Sequence, residues 1–239
     1  MPNSSNDNYP QLLSLAVHEF RTPASVVGGY LRMLQKETGA LNERQRKMIE
    51  EAEKSCTRLV ALIAELSDIG KLDSGAIVMA RQPVDLFALV ADVAEHVQEG
   101  KDREVRLTVK GNNAAAVLQG DTTRLHAAFD AIFRAILREK AGPCEVIAER
   151  RRGAHDGRNA AIVVVSEAAS VSDAYGRATQ PFDEKRGGLG LALPLARRVI
   201  EGHGGQLLAP APAGTASAAE DPIARGSAII VLPLPESTF

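Results

Sequence analysis

The sequence predicts an α+β protein in two parts: an N-terminal antiparallel helical hairpin, then an α/β sandwich. Three observations predict it. From about Leu12 to Leu66 apolar residues recur at helical spacing. That pattern stops around Gly70-Lys-Leu-Asp-Ser-Gly75. Beyond it, β-branched runs alternate with amphipathic helices, the pattern of helices interleaved with hairpin-linked strands. With 239 residues and 45% apolar content, the chain can bury one large core or two modest ones.

Residues 1–10 are polar and rich in Asn and Ser, and read as a disordered tail. The first helix runs from about Leu12 to Lys36, with a stripe of Leu12, Ala16, Phe20, Val27, Leu31 and Leu34 and a stop at Gly39. Asn42 with Gln45 forms an N-cap signal for the second helix. There Ile49, Ala52, Cys56, Leu59, Ile63 and Leu66 alternate in steps of three and four, a heptad seam with a charged outer face. Two long helices with narrow stripes cannot enclose a core alone. The simplest remedy is a dimer forming a four-helix bundle; docking back onto the rest of the chain is the alternative.

In the second part, Ile77–Arg81 reads as a short strand, and Pro83-Val-Asp-Leu opens a helix through about Gln98. Val105–Val109 and Ala115–Gln119 read as strands. Thr122–Glu139 is an amphipathic helix with Leu125, Ala128, Phe129, Ile132, Phe133, Ile136 and Leu137 inward. Cys144–Arg151 and Ala160–Val165 are strands joined by a polar turn, Gly153–Asn159. Ser166–Arg186 carries little regular pattern, Gly188–Gly202 is helical, and Gln206–Ala209 and Ala228–Leu232 are strands. The Ala/Pro/Gly-rich insert Pro210–Gly226 reads as a flexible loop.

A net charge of −2 gives no basic footprint for nucleic acid. No run is long and apolar enough for a membrane span, and no signal-peptide pattern opens the chain. Cys56 and Cys144 lie far apart without metal or disulfide spacing and read as buried thiols of a reducing compartment. A cytoplasmic protein is expected, with sensing of outside signals left to a separate sensor protein.

The motif that carries chemistry is Ala16-Val-His-Glu-Phe-Arg-Thr-Pro-Ala-Ser-Val26. His18 sits about 200° round the wheel from Ala16 and points to solvent, with Thr22 and Ser25 on the same face and Glu19 adjacent. Pro23 cannot donate to the Glu19 carbonyl, so a bend is expected there. His18-Glu-Phe-Arg-Thr-Pro23 resembles the phosphoacceptor box of sensor histidine kinases of two-component systems. Gly188-Leu-Gly-Leu191, Ala196–Gly205 and Val231-Leu-Pro233 are similar to the glycine box and last strand of that family's ATP-binding domain.

The resemblance implies a dimerisation and phosphotransfer hairpin over residues 11–72 and a GHKL-type (Bergerat) ATP-binding domain over 76–235. It implies that His18 carries a phosphoryl group taken from ATP with Mg²⁺ and passes it to an aspartate of a response-regulator receiver domain. Glu19 would be the orienting acid or base, and Thr22 would position water for dephosphorylating the receiver. It also exposes departures. Asp121-Thr-Thr-Arg-Leu125 matches the lead-in to the metal-binding helix, but the two asparagine positions fall on Ala131 and Ala135. A register shifted by one puts Asp130 and Arg134 there. Arg138 matches a phosphate contact. Ser166 stands where the family has its adenine-binding aspartate, and Ala168 and Ser170 replace two glycines, leaving Glu167 as a substitute. Gly187, Gly188 and Gly190 are retained, with Arg186 at the first glycine position and Phe182 as the lid anchor. His203-Gly-Gly205 reads as a helix stop.

Three readings follow: an autophosphorylating kinase using ATP and Mg²⁺; an ATP-independent phosphotransferase or receiver phosphatase with no cofactor; or a non-catalytic dimeric docking scaffold. No metal site is expected outside the Mg²⁺-ATP complex.

Overall fold

A computed structural model describes residues 9–36 and 41–235. Residues 1–8, most of the expected tail, and the expected stop at Gly39 lie outside the described residues. The chain divides into two compact units between Ile77 and Val78.

The N-terminal unit is a pair of helices, α1 (Tyr9–Lys36) and α2 (Glu43–Asp73). Tyr9 and Pro10 are helical, so α1 begins earlier than expected. The start of α2 follows its sequence signal. The Asn42 side chain accepts from the Gln45 amide and the Gln45 side chain accepts from the Asn42 amide, each at 2.9 Å, a full capping box. The helices run antiparallel, with Ala24 beside Cys56 and Leu13 against Gly70.

Between the helices, Val17, Ala24 and Ile63 form a small cluster with Leu66. The Cys56 thiol donates to the Ala24 carbonyl at 3.2 Å. A Cβ on Gly28 would sit 3.3 Å from the Cys56 sulfur, so small residues set the closest approach. The hairpin by itself covers only part of the expected stripes. Cys56 and Ile63 are buried as expected, but Leu12, Phe20, Val27, Leu34, Ala52 and Leu59 are exposed within the single chain. The first helix is apolar on more than one face, and α2 covers the face whose small side chains permit contact.

The C-terminal unit holds two sheets. The small one pairs β1 (Gln82–Asp85) with β3 (Val117–Gly120), antiparallel. The large one has six strands, β2 (Val105–Gly111), β4 (Cys144–His155), β5 (Arg158–Glu167), β6 (Ala178–Pro181), β7 (Gln206–Pro210) and β8 (Ala228–Pro233), in the order β2-β4-β5-β8-β7-β6. Only β2 and β4 are parallel. The remaining helices are α3 (Leu86–His96), α4 (Thr122–Arg138), α5 (Val171–Gly176), α6 (Ala192–Gly202) and α7 (Pro222–Arg225).

The seven residues expected inward on α4 are all buried, and Phe129 meets Phe133 edge-on at 5.9 Å. The helix packs against α3, α6 and the sheet. On β5, Ile162 and Val164 join Val171 and Ala174 of α5, Ile229 and Val231 of β8. Val163 and Val165, facing the other way, are buried too, so the central strand is covered on both faces. Asp156 (φ 50°) and Gly157 (φ 74°) make the β4–β5 turn, the two left-handed positions a tight hairpin requires.

Four expectations about elements fail for identifiable reasons. No strand forms over 77–81; it lies at β1, where Pro83 tolerates an edge position. The helix expected at Pro83 begins at Leu86, capped by the Asp85 carboxylate. Ser166–Arg186 is ordered into a short 3₁₀ turn, α5 and β6, and the insert contains α7. Both depend on partners distant in sequence. Cys144 is only half-buried, although both thiols are free.

Candidate functional site

The exposed chemistry of the hairpin lies on α1. Val17 turns inward, which places His18 and Glu19 on the outer face. Their side chains are 78% and 70% exposed, with Nδ1 of His18 3.7 Å from Oε1 of Glu19. Thr22 and Ser25, one and two turns on, are exposed as well. Pro23 lies inside the continuous helix and removes the amide that would bond the Glu19 carbonyl. His18, Glu19 and Thr22 are thus gathered on one accessible face. A neutral imidazole there is an unobstructed nucleophile, with a carboxylate in range of its other nitrogen.

The second group of predicted residues gathers around the C-terminal end of α4. Ala131 and Ala135 are buried. Ala135 faces Gly187 so closely that a Cβ on Gly187 would sit 3.0 Å from the Ala135 Cα. Gly187, Gly188 and Gly190 all adopt left-handed φ values, 63°, 59° and 66°, which explains glycine at each. Arg138 donates to the Gly187 carbonyl at 3.1 Å and to Glu99 at 2.7 Å. Burial pushes the Glu99 carboxyl up, but hydrogen bonds from Arg138 and Arg103 outweigh it and hold the group below its ordinary range. Asp130 and Arg134, the residues of the shifted register, pair with each other at 2.9 Å.

Ser166, at the end of β5, is 1% exposed and shares a 2.7 Å hydrogen bond with the Ser227 hydroxyl. Glu167 pairs with the buried Lys140 at 2.9 Å. Arg186 is buried, reaching the carbonyls of Ala224, Arg225 and Ser227 and lying 4.7 Å from the Phe182 ring centre. Burial pushes its guanidinium below the ordinary arginine range. A chain of contacts thus links Ser166, Ser227, Arg186, Gly187 and Arg138. Ser227, Lys140 and Arg225 were not singled out from sequence; nothing in their spacing marks them. His203 does more than stop a helix: its Nε2 accepts from the Asp121 amide at 2.9 Å and its Nδ1 bonds the Val199 carbonyl at 2.6 Å. Those partners tie α6 to the start of α4.

Among the described residues no group of three or more His, Cys, Asp or Glu side chains could hold a metal ion. No described helix is long and apolar enough to cross a membrane.

The comparisons match this arrangement of a displayed histidine on a two-helix hairpin followed by a mixed-sheet α/β unit. Residues 11–75 match the His Kinase A (phospho-acceptor) domain. The chain is 25% identical over 226 residues to the circadian input-output histidine kinase CikA of Synechococcus elongatus, covering 91% of this chain and 30% of that protein. It is 25% identical over 198 residues to the alginate biosynthesis sensor protein KinB of Pseudomonas aeruginosa, covering 80% of this chain and 33% of KinB. The chain therefore spans a third or less of these curated relatives. In fold it is similar to full-length ShkA, solved in complex with AMPPNP, with a TM-score of 0.67 at 20% identity over 94% of this chain and 46% of ShkA. It also resembles the Acinetobacter baumannii histidine kinase AdeS, with a TM-score of 0.53 at 12% identity over 92% of this chain and 98% of AdeS. Residues 11–75 are thus similar to the His Kinase A domain, and most of the chain is similar to sensor histidine kinases at about a quarter identity.

Proposed function

We propose that this chain is a two-component signalling module of the histidine kinase type whose chemical centre is His18. The observation that carries this is the exposed His18 beside Glu19 on the outer face of a His Kinase A hairpin. One imidazole nitrogen attacks the donor's phosphorus; the bond from phosphorus to the donor's leaving group (the oxygen of ADP, for ATP) breaks as the P–N bond of a phosphoramidate forms. Glu19 favours the imidazolium that develops and holds the proton on the other nitrogen. The phosphoryl group then passes to an aspartate of a response-regulator receiver domain docked on the hairpin. Thr22 is placed to orient a water for the reverse task, dephosphorylating that receiver. The exposed apolar residues Leu12, Phe20, Val27, Tyr30 and Met33 support a homodimer built as a four-helix bundle. In this reading residues 11–72 are the dimerisation and phosphotransfer part and 76–235 the nucleotide-binding part.

The family reading takes the phosphoryl group from ATP with Mg²⁺. The residues here do not fit that group well. Alanines at 131 and 135 have no oxygen for a hard cation, and Ser166 is already bonded to Ser227. Those observations favour a second reading, in which His18 receives its phosphoryl group from another phosphorylated protein and the cytoplasmic module works without a cofactor.

The test exposes the full chain to γ-labelled ATP with Mg²⁺ and, separately, to labelled phosphoramidate, beside His18→Gln. Label from both donors on wild type alone supports the kinase. Label from phosphoramidate alone supports the ATP-independent carrier. Label on neither, or equally on His18→Gln, overturns the phosphoacceptor role.

A further inference from the structure

Arg186 makes contacts that a glycine in its place could not. The residue is 8% exposed, and its guanidinium donates to the carbonyls of Ala224 at 2.7 Å, of Ser227 at 3.4 Å and of Arg225. Ala224 and Arg225 close the single turn of α7, whose last carbonyls have no partner within the helix. The ring of Phe182 covers the cation from one side.

The other end of α7 is equally tied. The Asp221 carboxylate accepts from the amides of Ile223 at 2.8 Å, Ala224 at 3.0 Å and Ala213 at 2.8 Å, and pairs with Arg177 at 2.7 Å. Arg225 itself bonds Glu139, the residue that follows α4. The insert is thus fastened to α5, to the glycine segment and to the end of α4. Next to this fastening lie Ser227 and Ser166, both closed off from solvent and satisfied by one another.

We propose that Arg186 and α7 form an internal latch over the nucleotide end of the C-terminal unit, so that an adenine nucleotide binds only when the latch opens. This rests on reading Ser166 and the glycine segment as that end. A purine aimed at Ser166 has to displace the Arg186 side chain or α7, so latched and liganded forms exclude each other. The apparent dissociation constant is then the intrinsic one divided by the fraction open. The left-handed glycines 187, 188 and 190 directly after Arg186 supply the backbone freedom for the movement.

The test titrates ADP into the full chain by calorimetry, with Mg²⁺ and with chelator, for wild type, Arg186→Ala and Arg225→Ala. Circular dichroism confirms that each is folded. Arg186→Ala is expected to bind ADP about tenfold or more tightly than wild type. Arg225→Ala, which cuts only the tie to Glu139, shifts affinity less and in the same direction. If Arg186→Ala does not fold, Arg225→Ala decides. Equal affinity across the folded variants, including binding to none of them, overturns the latch. Labelling of His18 by phosphoramidate is independent: label with unchanged ADP affinity sinks the latch alone, and an affinity shift without label sinks only the phosphoacceptor role.

Discussion

In the C-terminal unit, the 17 residues of α4 bury Leu125, Phe129, Ile132, Phe133, Ile136 and Leu137, with Phe129 edge-on to Phe133. In the hairpin, helices of 28 and 31 residues bury between them little more than Val17, Ala24, Cys56 and Ile63. The apolar residues of α1 are not missing; Leu12, Leu15, Phe20, Val26, Val27, Tyr30 and Met33 are simply exposed. One unit satisfies its apolar surface within itself, and the other leaves it exposed in the single chain, where the proposed homodimer would cover it. Their polar groups divide in the opposite sense. The hairpin displays His18 and Glu19 to solvent, whereas Ser166, Arg186 and Arg138 are each engaged by neighbours. An exposed nucleophile suits exchange with partners, and a closed polar cluster suits a site that is shut or no longer used.

Substitutions can break this contrast, and the largest effect belongs to the self-contained core. Phe133→Ala leaves a cavity under the sheet and is expected to cost about 3–5 kcal/mol in urea unfolding followed by circular dichroism. A cost below ~1 kcal/mol would show that α4 does not anchor this unit. Next, Glu19→Gln should keep the fold and slow phosphoryl loading of His18 about 100-fold or more, read from the rate of label uptake. An unchanged rate would leave Glu19 as a surface residue. On the same helix, Tyr30→Glu puts a charge into the exposed apolar face; light scattering is expected to show a dimeric wild type and a weakened or monomeric variant, with helical content kept. A monomeric wild type at micromolar concentration refutes the four-helix bundle.

The smallest effect concerns the ordered insert. Bonding to Arg177, and then to the amides of Ala213 and Ala224, holds the Asp221 carboxyl far below the usual carboxylate range. A depressed folded-state pKa contributes stability that is fully present above the unfolded value, about 3.9, and is lost as pH falls below it. Asp221→Asn should therefore lower stability near neutral pH by about 1–2 kcal/mol, as for a lost helix cap. It should also flatten the acid limb below about pH 4. Parallel acid limbs for variant and wild type would contradict the assignment.

These contrasts were unevenly legible in the sequence. Periodicity placed seven inward residues of α4 correctly but not Ala131 and Ala135, which are buried as well. In α1 apolar residues lie on more than one face, and spacing alone does not say which of them α2 covers. The capping box at Asn42 was readable because its partners lie three residues apart. Order in the insert was not, because it depends on Arg177 and Arg186 meeting Asp221, Ala224 and Arg225 across the fold. The same holds for the site. His18, Glu19 and Thr22 sit on consecutive turns and could be read together. The pairing of Ser166 with Ser227, 61 residues away, carries no local signal.

The central claim is that His18 carries the phosphoryl group. The most direct measurement is peptide mapping by mass spectrometry of the 239-residue wild type and His18→Gln, each treated with Mg²⁺-ATP and with phosphoramidate. The account predicts an acid-labile, alkali-stable phosphate on His18 of wild type from at least one donor and none on the variant. A folded protein that takes no phosphate on His18 from either donor would contradict it.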